Sequence, residues 1–229
     1  MKITVRGGHC PKVTGAREIL DELTEDGKVE DAVIKYLKQL GHEVLDVTPP
    51  DSTSTSSADL AYGVNKANNW GADLFVSIHF NKAYKSYNGA LGSEVCVYST
   101  HDIAQRVVNG LGELGFKNRG QKIRTGLYGL KNTSMKSMIV ETCFVDATED
   151  VELYKKLGQD AIGKAIAEAI SNKKLEVKAT WKKNATSWWY DLGNGLYPTN
   201  QWKGISGEWY YFDDKCYAYE NKWIKYKNK

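Results

Sequence analysis

Apolar residues along the first three quarters of the chain recur with two different periods. Continuous or alternating apolar runs predict strands, whereas apolar residues three or four positions apart predict helices. Strands are predicted at residues 2–6, 43–47, 74–80, 94–98 and 138–144, and helices at 29–40, 58–70, 102–114 and 149–171. Strands and helices that alternate in this order predict an α/β fold, with a mostly parallel sheet flanked by helices.

Several residues predict where these elements begin and end. Gly41 is expected to end the first helix, because glycine is favoured just beyond a helix C-terminus. Pro49 and Pro50 stop the second strand, since proline cannot donate to a ladder. Ser57 is the expected N-cap of the second helix.

The last quarter of the chain follows a different pattern, set by tryptophan. Trp181, Trp202 and Trp223 are 21 residues apart, and so are Trp188 and Trp209. A period of this length predicts stacked repeats, each forming one hairpin. Aromatic residues number 14 in the last 55 positions against 12 in the first 174, which favours two domains. The predicted boundaries are a first domain at 1–173, a linker at 174–179 and an all-β hairpin-repeat domain at 180–229.

Charge and composition exclude several classes of protein. The formal net charge of +3 is too small to predict a nucleic-acid partner, which usually needs a concentrated basic face. The apolar runs are too short for membrane insertion. The four cysteines are dispersed without a CxxC pair, which disfavours a disulfide framework or a four-cysteine zinc site and favours ordinary packed or free thiols.

Two of the four histidines fall where a parallel sheet collects ligands. His9 follows the first strand and His79 lies near the end of the third, so both are expected at the carboxyl edge of the sheet. His42 and His101 flank helices and are expected in surface loops. Glu141 stands in a buried strand, where a carboxylate needs a metal, a partner or a proton-transfer role. Two histidines, a carboxylate and an open position are typical of a hydrolytic zinc site.

These motifs make the first 173 residues resemble the zinc-dependent N-acetylmuramoyl-L-alanine amidases of the amidase-3 type. The matching segments are Gly8-His9, Ala67-Asn68, Ser77-Ile78-His79-Phe80-Asn81 and Val140-Glu141. The resemblance implies one Zn²⁺ ion held by His, Glu and His, with the strand glutamate catalytic. His9, His79 and Glu141 carry over directly. Counted back from Gly41, the family's spacing selects Glu22 as the ligand ahead of Glu25, and Glu30 is expected on a solvated helical face.

The implied reaction is hydrolysis of the amide between N-acetylmuramic acid and the L-alanine of the peptidoglycan stem. Zinc activates water, and Glu141 takes its proton and passes it to the departing amine. Asn81 either donates a hydrogen bond to substrate or to the ligand shell, or only closes the strand end.

The repeats resemble the choline-binding type of cell-wall-binding repeats, on the segment 201–213. That resemblance implies a surface for wall polymer, with teichoic acid or another polymer as partner and choline as one candidate ligand. The residues expected to bind it are Trp181, Trp188, Trp202, Trp209 and Trp223.

The N-terminus lacks the apolar core of an export signal. The expectation is a phage endolysin, made in the cytoplasm and acting on the wall after holin-type release or lysis. An autolysin is the bacterial counterpart. The alternatives are a wall-binding protein with a degenerate enzyme domain and a zinc peptidase acting on stem peptides.

Overall fold

The computed structural model describes residues 1–176, 179–193 and 196–220. The chain divides into two compact units, Met1–Lys174 and Leu175–Lys229. Each unit is described by itself. Among the described residues, no helix combines the length and apolarity needed to cross a membrane.

The N-terminal unit alternates strands with helices. In chain order its elements are β1 (Lys2–Gly7), α1 (Glu22–Gln39), β2 (Glu43–Asp46), α2 (Ser56–Trp70), β3 (Leu74–Asn81), β4 (Ser93–Val97), α3 (Asp102–Glu113), β5 (Asn118–Ile123), α4 (Tyr128–Lys131), β6 (Lys136–Phe144) and α5 (Thr148–Ser171).

The six strands form one sheet in the order β2-β1-β3-β6-β4-β5. Neighbouring strands are parallel except for β4 and β6, which pair antiparallel. The predicted α/β fold with a mostly parallel sheet is therefore confirmed. The parallel order also brings the carboxyl ends of β1, β3 and β6 to one edge, where ligands of such sheets bind.

The two faces of β3 separate the core from a cleft. Leu74, Val76, Ile78 and Phe80 belong to the main core, together with apolar residues of α1, α3 and α5. The alternate residues Phe75, Ser77 and His79 line an open cleft, which residues of α2 also line. The period of two along a strand explains this division.

The first helix begins earlier than its apolar pattern predicts, at Glu22 rather than Val29. Its first turns carry acidic residues on the inward face, so hydrophobic periodicity does not reveal them. The predicted cap of α2 was also wrong. Thr55 rather than Ser57 is the N-cap, and its side chain accepts a hydrogen bond from the Ala58 amide at 3.2 Å.

Two elements lie outside the predicted pattern. The strand β5 consists mainly of polar and charged residues at the edge of the sheet, so it lacks an apolar signature. The helix α4 is a single turn of four residues.

The C-terminal unit contains two antiparallel hairpins among its described residues. The first joins β7 (Thr180–Lys183) to β8 (Trp188–Asp191), and the second joins β9 (Gln201–Ile205) to β10 (Glu208–Phe212). Ser206 and Gly207 make the second turn with φ of 52° and 91°. A two-residue turn with two positive φ values matches the twist of the flanking strands.

A small aromatic core holds these hairpins together. Ile205, Phe212 and Ala218 are buried, and Trp181, Tyr190 and Tyr210 pack against them. The Trp181 ring stacks on Phe212 at a centroid distance of 5.8 Å. Trp181 therefore contributes to the core as well as to the surface.

Candidate active site

The two predicted histidines meet at the carboxyl edge of the sheet. Gly7 of β1 is paired with Ile78 of β3, so His9 and His79 lie just beyond neighbouring register positions. Their rings approach edge to face, with centroids 5.0 Å apart. The parallel pairing of β1 and β3 therefore brings both histidines to the same edge of the sheet.

Glu22 joins the two histidines from the start of α1. Its Oε1 lies 3.2 Å from His9 Nε2 and 3.1 Å from His79 Nδ1. The same oxygen accepts a hydrogen bond from the Phe80 amide at 3.0 Å, and Oε2 accepts one from the Ala16 amide at 2.5 Å. Backbone donors thus fix the carboxylate in its position between the rings.

These three residues form a group that a single cation can share. One ligand atom from each of His9, Glu22 and His79 lies within 4.8 Å of the others. Tetrahedral zinc with ligand bonds of about 2.0–2.1 Å places its ligand atoms about 3.3 Å apart. The distances from Glu22 Oε1 to the two histidines match that spacing, and the donor set suits zinc.

Charge and burial oppose each other within this group. Burial disfavours the Glu22 carboxylate, but hydrogen bonds and charge from His79 and His9 outweigh burial and hold its pKa well below the usual range. Burial lowers the pKa of His79. Burial also disfavours protonation of His9, but its contact with Glu22 leaves its pKa raised. The contacts with the two histidines therefore favour the ionised form of Glu22.

The other two candidate glutamates lie elsewhere. Glu25 accepts hydrogen bonds from the Tyr154 hydroxyl at 2.6 Å and from Lys28 Nζ at 2.8 Å. The expectation of a solvated Glu30 was wrong, because Glu30 is 5% exposed and accepts a hydrogen bond from Thr48 at 2.8 Å. Glu22 and Glu30 are both buried, although eight residues of helix place them about 80° apart around α1.

Glu141 lies on β6, directly across from His79 in the parallel register. Both residues line a cleft of about 420 Å³, together with His9 and Glu22. Burial raises the pKa of Glu141 to about 8, with further contributions from the nearby carboxylates of Glu22 and Glu94. The cleft thus holds a carboxyl group that exchanges a proton near neutral pH.

A β-bulge just after Glu141 separates it from Cys143. His79 pairs with Glu141, whereas Asn81 pairs with Phe144, so β6 contains one extra residue there. Such an insertion breaks the alternation of side chains. Cys143 accordingly packs in the main core, although strand alternation alone allows it to share the face of Glu141. All four cysteines are free thiols, and Cys216 is the one that is not buried.

Asn81 lies at the rim of the cleft, where it contacts an acidic residue that sequence patterns did not reveal. Its Nδ2 donates to Glu94 Oε1 at 3.3 Å, and its Oδ1 accepts from the Lys82 amide at 2.8 Å. Glu94 is 3% exposed and also accepts a hydrogen bond from Arg119 Nε at 2.7 Å. Glu94 pairs with Glu141 across β4 and β6, so its charge acts on the cleft.

Two glycines shape the site by having no side chain. A Cβ added to Gly8 would overlap the His79 ring, and a Cβ added to Gly15 would overlap both Glu22 and His9. Gly8 was already part of the predicted motif, but Gly15 carries no distinguishing signal in a single sequence.

Asp26, one turn beyond Glu22, is also buried, and its Oδ2 has no hydrogen-bond partner among the described residues.

The remaining two histidines are partly buried rather than simple surface residues. The His101 side chain caps α3 by accepting a hydrogen bond from the Ala104 amide at 3.2 Å. His42 Nε2 lies 2.9 Å from Ser171 Oγ. Both act in local structure outside the cleft.

The predicted wall-binding tryptophans occupy different environments in the C-terminal unit. Trp181 and Trp188 line an apolar cavity of about 390 Å³, and Trp188 is 36% exposed. Trp202 packs against the Tyr211 ring, and Trp209 is 70% exposed. Trp223 lies outside the described residues.

The amino-acid sequence matches the N-acetylmuramoyl-L-alanine amidase family of the amidase-3 type over residues 3–172. The chain therefore belongs to that family. The match covers the whole sheet and the four residues assembled in the cleft.

Similar proteins include enzymes and proteins without an assigned activity. An uncharacterized protein of Clostridium perfringens is 49% identical over 181 residues, which cover 77% of this chain and 53% of that protein. The N-acetylmuramoyl-L-alanine amidase CwlM of Bacillus licheniformis is 30% identical over 181 residues, which cover 75% of this chain and 66% of CwlM. The chain thus spans about half the length of the Clostridium perfringens relative.

A solved structure extends the similarity to the fold. The catalytic domain of the CD27L endolysin, which targets Clostridia difficile, superposes with a TM-score of 0.69 at 29% identity. The superposition covers 77% of this chain and 99% of that domain.

Proposed function

We propose that this protein is a zinc-dependent N-acetylmuramoyl-L-alanine amidase. It hydrolyses the amide that joins N-acetylmuramic acid to the L-alanine of the peptidoglycan stem. The observation that carries the proposal is the convergence of His9, Glu22 and His79 beside Glu141 in one cleft. Membership of the amidase family supports the same reaction.

His9, Glu22 and His79 are the proposed zinc ligands. When bound, zinc supplies Lewis acidity that acidifies water and polarises the substrate carbonyl. The protein's own contribution is to hold the ligand atoms in position before the metal binds. Glu22 is fixed by the amides of Phe80 and Ala16, and His9 Nδ1 lies 3.2 Å from the Val13 carbonyl. A hydrogen bond at the second ring nitrogen orients a ligating histidine.

Glu141 is the proposed general acid and base. It accepts a proton from the attacking water and delivers that proton to the nitrogen of the departing stem peptide. Burial and the neighbouring carboxylates raise its pKa to about 8. A cation held by the three ligands would favour the carboxylate form of Glu141, because a nearby opposite charge lowers the pKa of a carboxyl group.

The direct test of this assignment separates metal binding from catalysis. Glu141→Gln preserves the size of the side chain but cannot accept the proton. We expect this variant to retain one zinc per chain by elemental analysis and to lose turbidity clearance of a purified wall suspension. His79→Ala should lose both. An active Glu141→Gln enzyme refutes the catalytic role of Glu141.

We also propose that the C-terminal unit binds a wall polymer of the teichoic-acid type. Its apolar cavity is bounded by the rings of Trp181, Trp188, Tyr210 and Tyr219, with Glu220 at the same cavity. Aromatic faces beside a carboxylate attract a quaternary ammonium group through cation–π and charge interactions. Choline carried on such a polymer is therefore the ligand chemistry that this cavity suits.

The polymer is tested with the chain as it stands, inactivated by Glu141→Gln so that the wall remains intact. We expect binding to native walls, weaker binding to walls stripped of teichoic acid, and release by free choline. Unchanged binding to stripped walls contradicts the teichoic-acid ligand. If binding is lost on stripped walls but free choline does not release the protein from native walls, the polymer is the ligand and choline is not the group that is recognised.

The biological role that fits both units is that of an endolysin acting on a cell wall. The similarity of the N-terminal unit to the catalytic domain of an endolysin supports this role.

A further inference from the structure

Arg6 is a buried cation directly beneath the candidate active site. It lies one residue before the end of β1, is 2% exposed, and is among the residues that line the cleft. Its guanidinium forms an ion pair with Asp59 of α2, with Nη2 2.8 Å from Oδ2. Asp59 is equally buried, at 2% exposure. A buried charge of this kind persists only when charge and hydrogen bonds compensate its loss of water.

The rest of the guanidinium is directed at the backbone that leads into His9. Nε donates to the Gly7 carbonyl at 2.8 Å, and Nη2 donates to the Gly8 carbonyl at 2.9 Å. Gly8 lies beyond the last paired residue of β1, so the sheet ladder does not position it. Arg6 therefore donates a hydrogen bond to the chain as it leaves the sheet, beside a second hydrogen bond between the Gly8 backbone and the Asp26 carboxyl group.

The position of Gly8 matters for both histidines. Its Cα packs against the His79 ring so closely that a Cβ would overlap the ring, and His9 is the next residue. A shift of the Gly8 peptide thus changes the place of His9 and the space available to His79. A hydrogen bond to the Gly8 carbonyl therefore restrains the backbone that borders both rings.

The other side of the guanidinium is held by α2. Nη1 donates to the Asp59 carbonyl at 3.2 Å. A Cβ built on Gly63, one turn further along, would lie 3.2 Å from Arg6 Cδ and 3.2 Å from the Val47 carbonyl oxygen. Asp59 therefore binds the guanidinium from α2, and the absence of a side chain at Gly63 leaves room for the Arg6 side chain.

We propose that Arg6, anchored by Asp59, is a positioning residue that holds the Gly8-His9 turn in the geometry required for metal binding. The proposal rests on the proposed function, because it takes His9 and His79 as zinc ligands. Arginine is needed because its planar guanidinium reaches three backbone carbonyls and a carboxylate together, whereas lysine offers a single ammonium group.

The test compares the full chain with three variants. Arg6→Lys keeps the positive charge but loses the planar guanidinium and its several donors. Asp59→Asn keeps the shape of the side chain but loses the negative charge that pairs with Arg6. Glu168→Gln is the matched control, since Glu168 is a carboxylate of 5% exposure paired with Lys164 on α5, outside the residues that line the cleft. Zinc affinity is measured by competition with a chromophoric chelator, and the visible spectrum is recorded after loading with Co²⁺.

We expect Arg6→Lys and Asp59→Asn to weaken zinc binding by about 10–100-fold, the range seen when groups that orient metal ligands are lost. Their Co²⁺ spectra should differ from that of the unaltered chain. Glu168→Gln should lower the unfolding temperature without changing either readout. Gly63→Ala provides a second perturbation if Arg6→Lys does not fold, and it should weaken zinc binding in the same direction.

Two outcomes overturn different claims. Unaltered zinc affinity and Co²⁺ spectra in folded Arg6→Lys, Asp59→Asn and Gly63→Ala chains refute the positioning role alone. Zinc binding that is unaffected by His9→Ala refutes the proposed ligand set, and the positioning role falls with it.

Discussion

Replacing Glu22 tests the ligand assignment most sharply, because a second glutamate one turn away serves as its control. Glu22→Gln retains the volume of the side chain but removes the charge that lies 3.2 Å from His9 Nε2 and 3.1 Å from His79 Nδ1. Loss of a direct ligand should weaken zinc binding at least as much as loss of an orienting group, which costs up to about 100-fold. The expected loss of affinity is therefore at least about 100-fold.

That loss converts into a difference in thermal stability. At free zinc about 1,000 times Kd, binding stabilises the folded protein by about 4.1 kcal/mol, and a 100-fold weaker site leaves about 1.4 kcal/mol. For a folding unit of this size, about 1 kcal/mol corresponds to about 2–4 °C in Tm. The zinc-induced rise in Tm should therefore shrink by about 5–11 °C in Glu22→Gln.

Glu25→Gln supplies the control in the same assay. Glu25 is bonded to Tyr154 and Lys28, so this variant should lose stability equally with and without zinc and keep the zinc-induced rise. Scanning calorimetry of the chelated and zinc-loaded proteins measures both quantities. A full zinc-induced rise in Glu22→Gln, or its loss in Glu25→Gln, would show that the ligand has been assigned to the wrong glutamate.

Further predictions follow from the shape, the proton chemistry and the aromatic cavity. Gly15→Ala should weaken zinc binding, because its Cβ would overlap Glu22 and His9. Gly126→Ala is the control, since no atom lies within 4 Å of the added Cβ, and its zinc affinity should be unchanged. Equal zinc affinities of the two variants in chelator competition would contradict the close packing around Gly15. In the chelated protein, the pKa of Glu141 is raised to about 8, so the folded state binds the extra proton and the resulting stability is lost as pH rises from about 4.5 to 8. Burial also raises the pKa values of Asp26 and Glu30 to about 8, so Glu141→Gln should reduce the pH dependence of urea unfolding between pH 5 and 8 without abolishing it. An unchanged dependence would argue against the raised pKa of Glu141. Trp188→Ala should reduce wall binding in a pull-down assay more than Tyr197→Ala, because Tyr197 is exposed but does not line the cavity, and equal losses would count against the cavity as the binding site.

Much of the N-terminal fold could be predicted because its central strands are largely buried on both faces. The apolar run at residues 74–80 corresponds to β3, one of the two central strands, which pairs with β1 on one side and with β6 on the other. His79 and Glu141 were visible for the same reason, since polar groups inside apolar strands need an explanation. Parallel pairing then placed His9 and His79 at one edge of the sheet.

The residues that escaped prediction are those whose surroundings are set by tertiary contacts. The inward face of the first half of α1 carries Glu22, Asp26 and Glu30 instead of apolar residues, so periodicity could not reveal the helix start. Glu94 lies on β4 and its partner Arg119 lies on β5, so the two residues meet only because these strands are neighbours in the sheet. The need for glycine at position 15 follows from the close packing of its backbone against Glu22 and His9, which only the folded structure shows.

The most direct test of the central claim is mass spectrometry of the products released from purified peptidoglycan by the zinc-loaded protein. We expect free stem peptides that begin with an unmodified L-alanine amino group, together with glycan strands whose N-acetylmuramic acid residues carry free lactyl carboxylates. Products cut within the stem peptide or between sugars would contradict it, and so would the same products from Glu141→Gln.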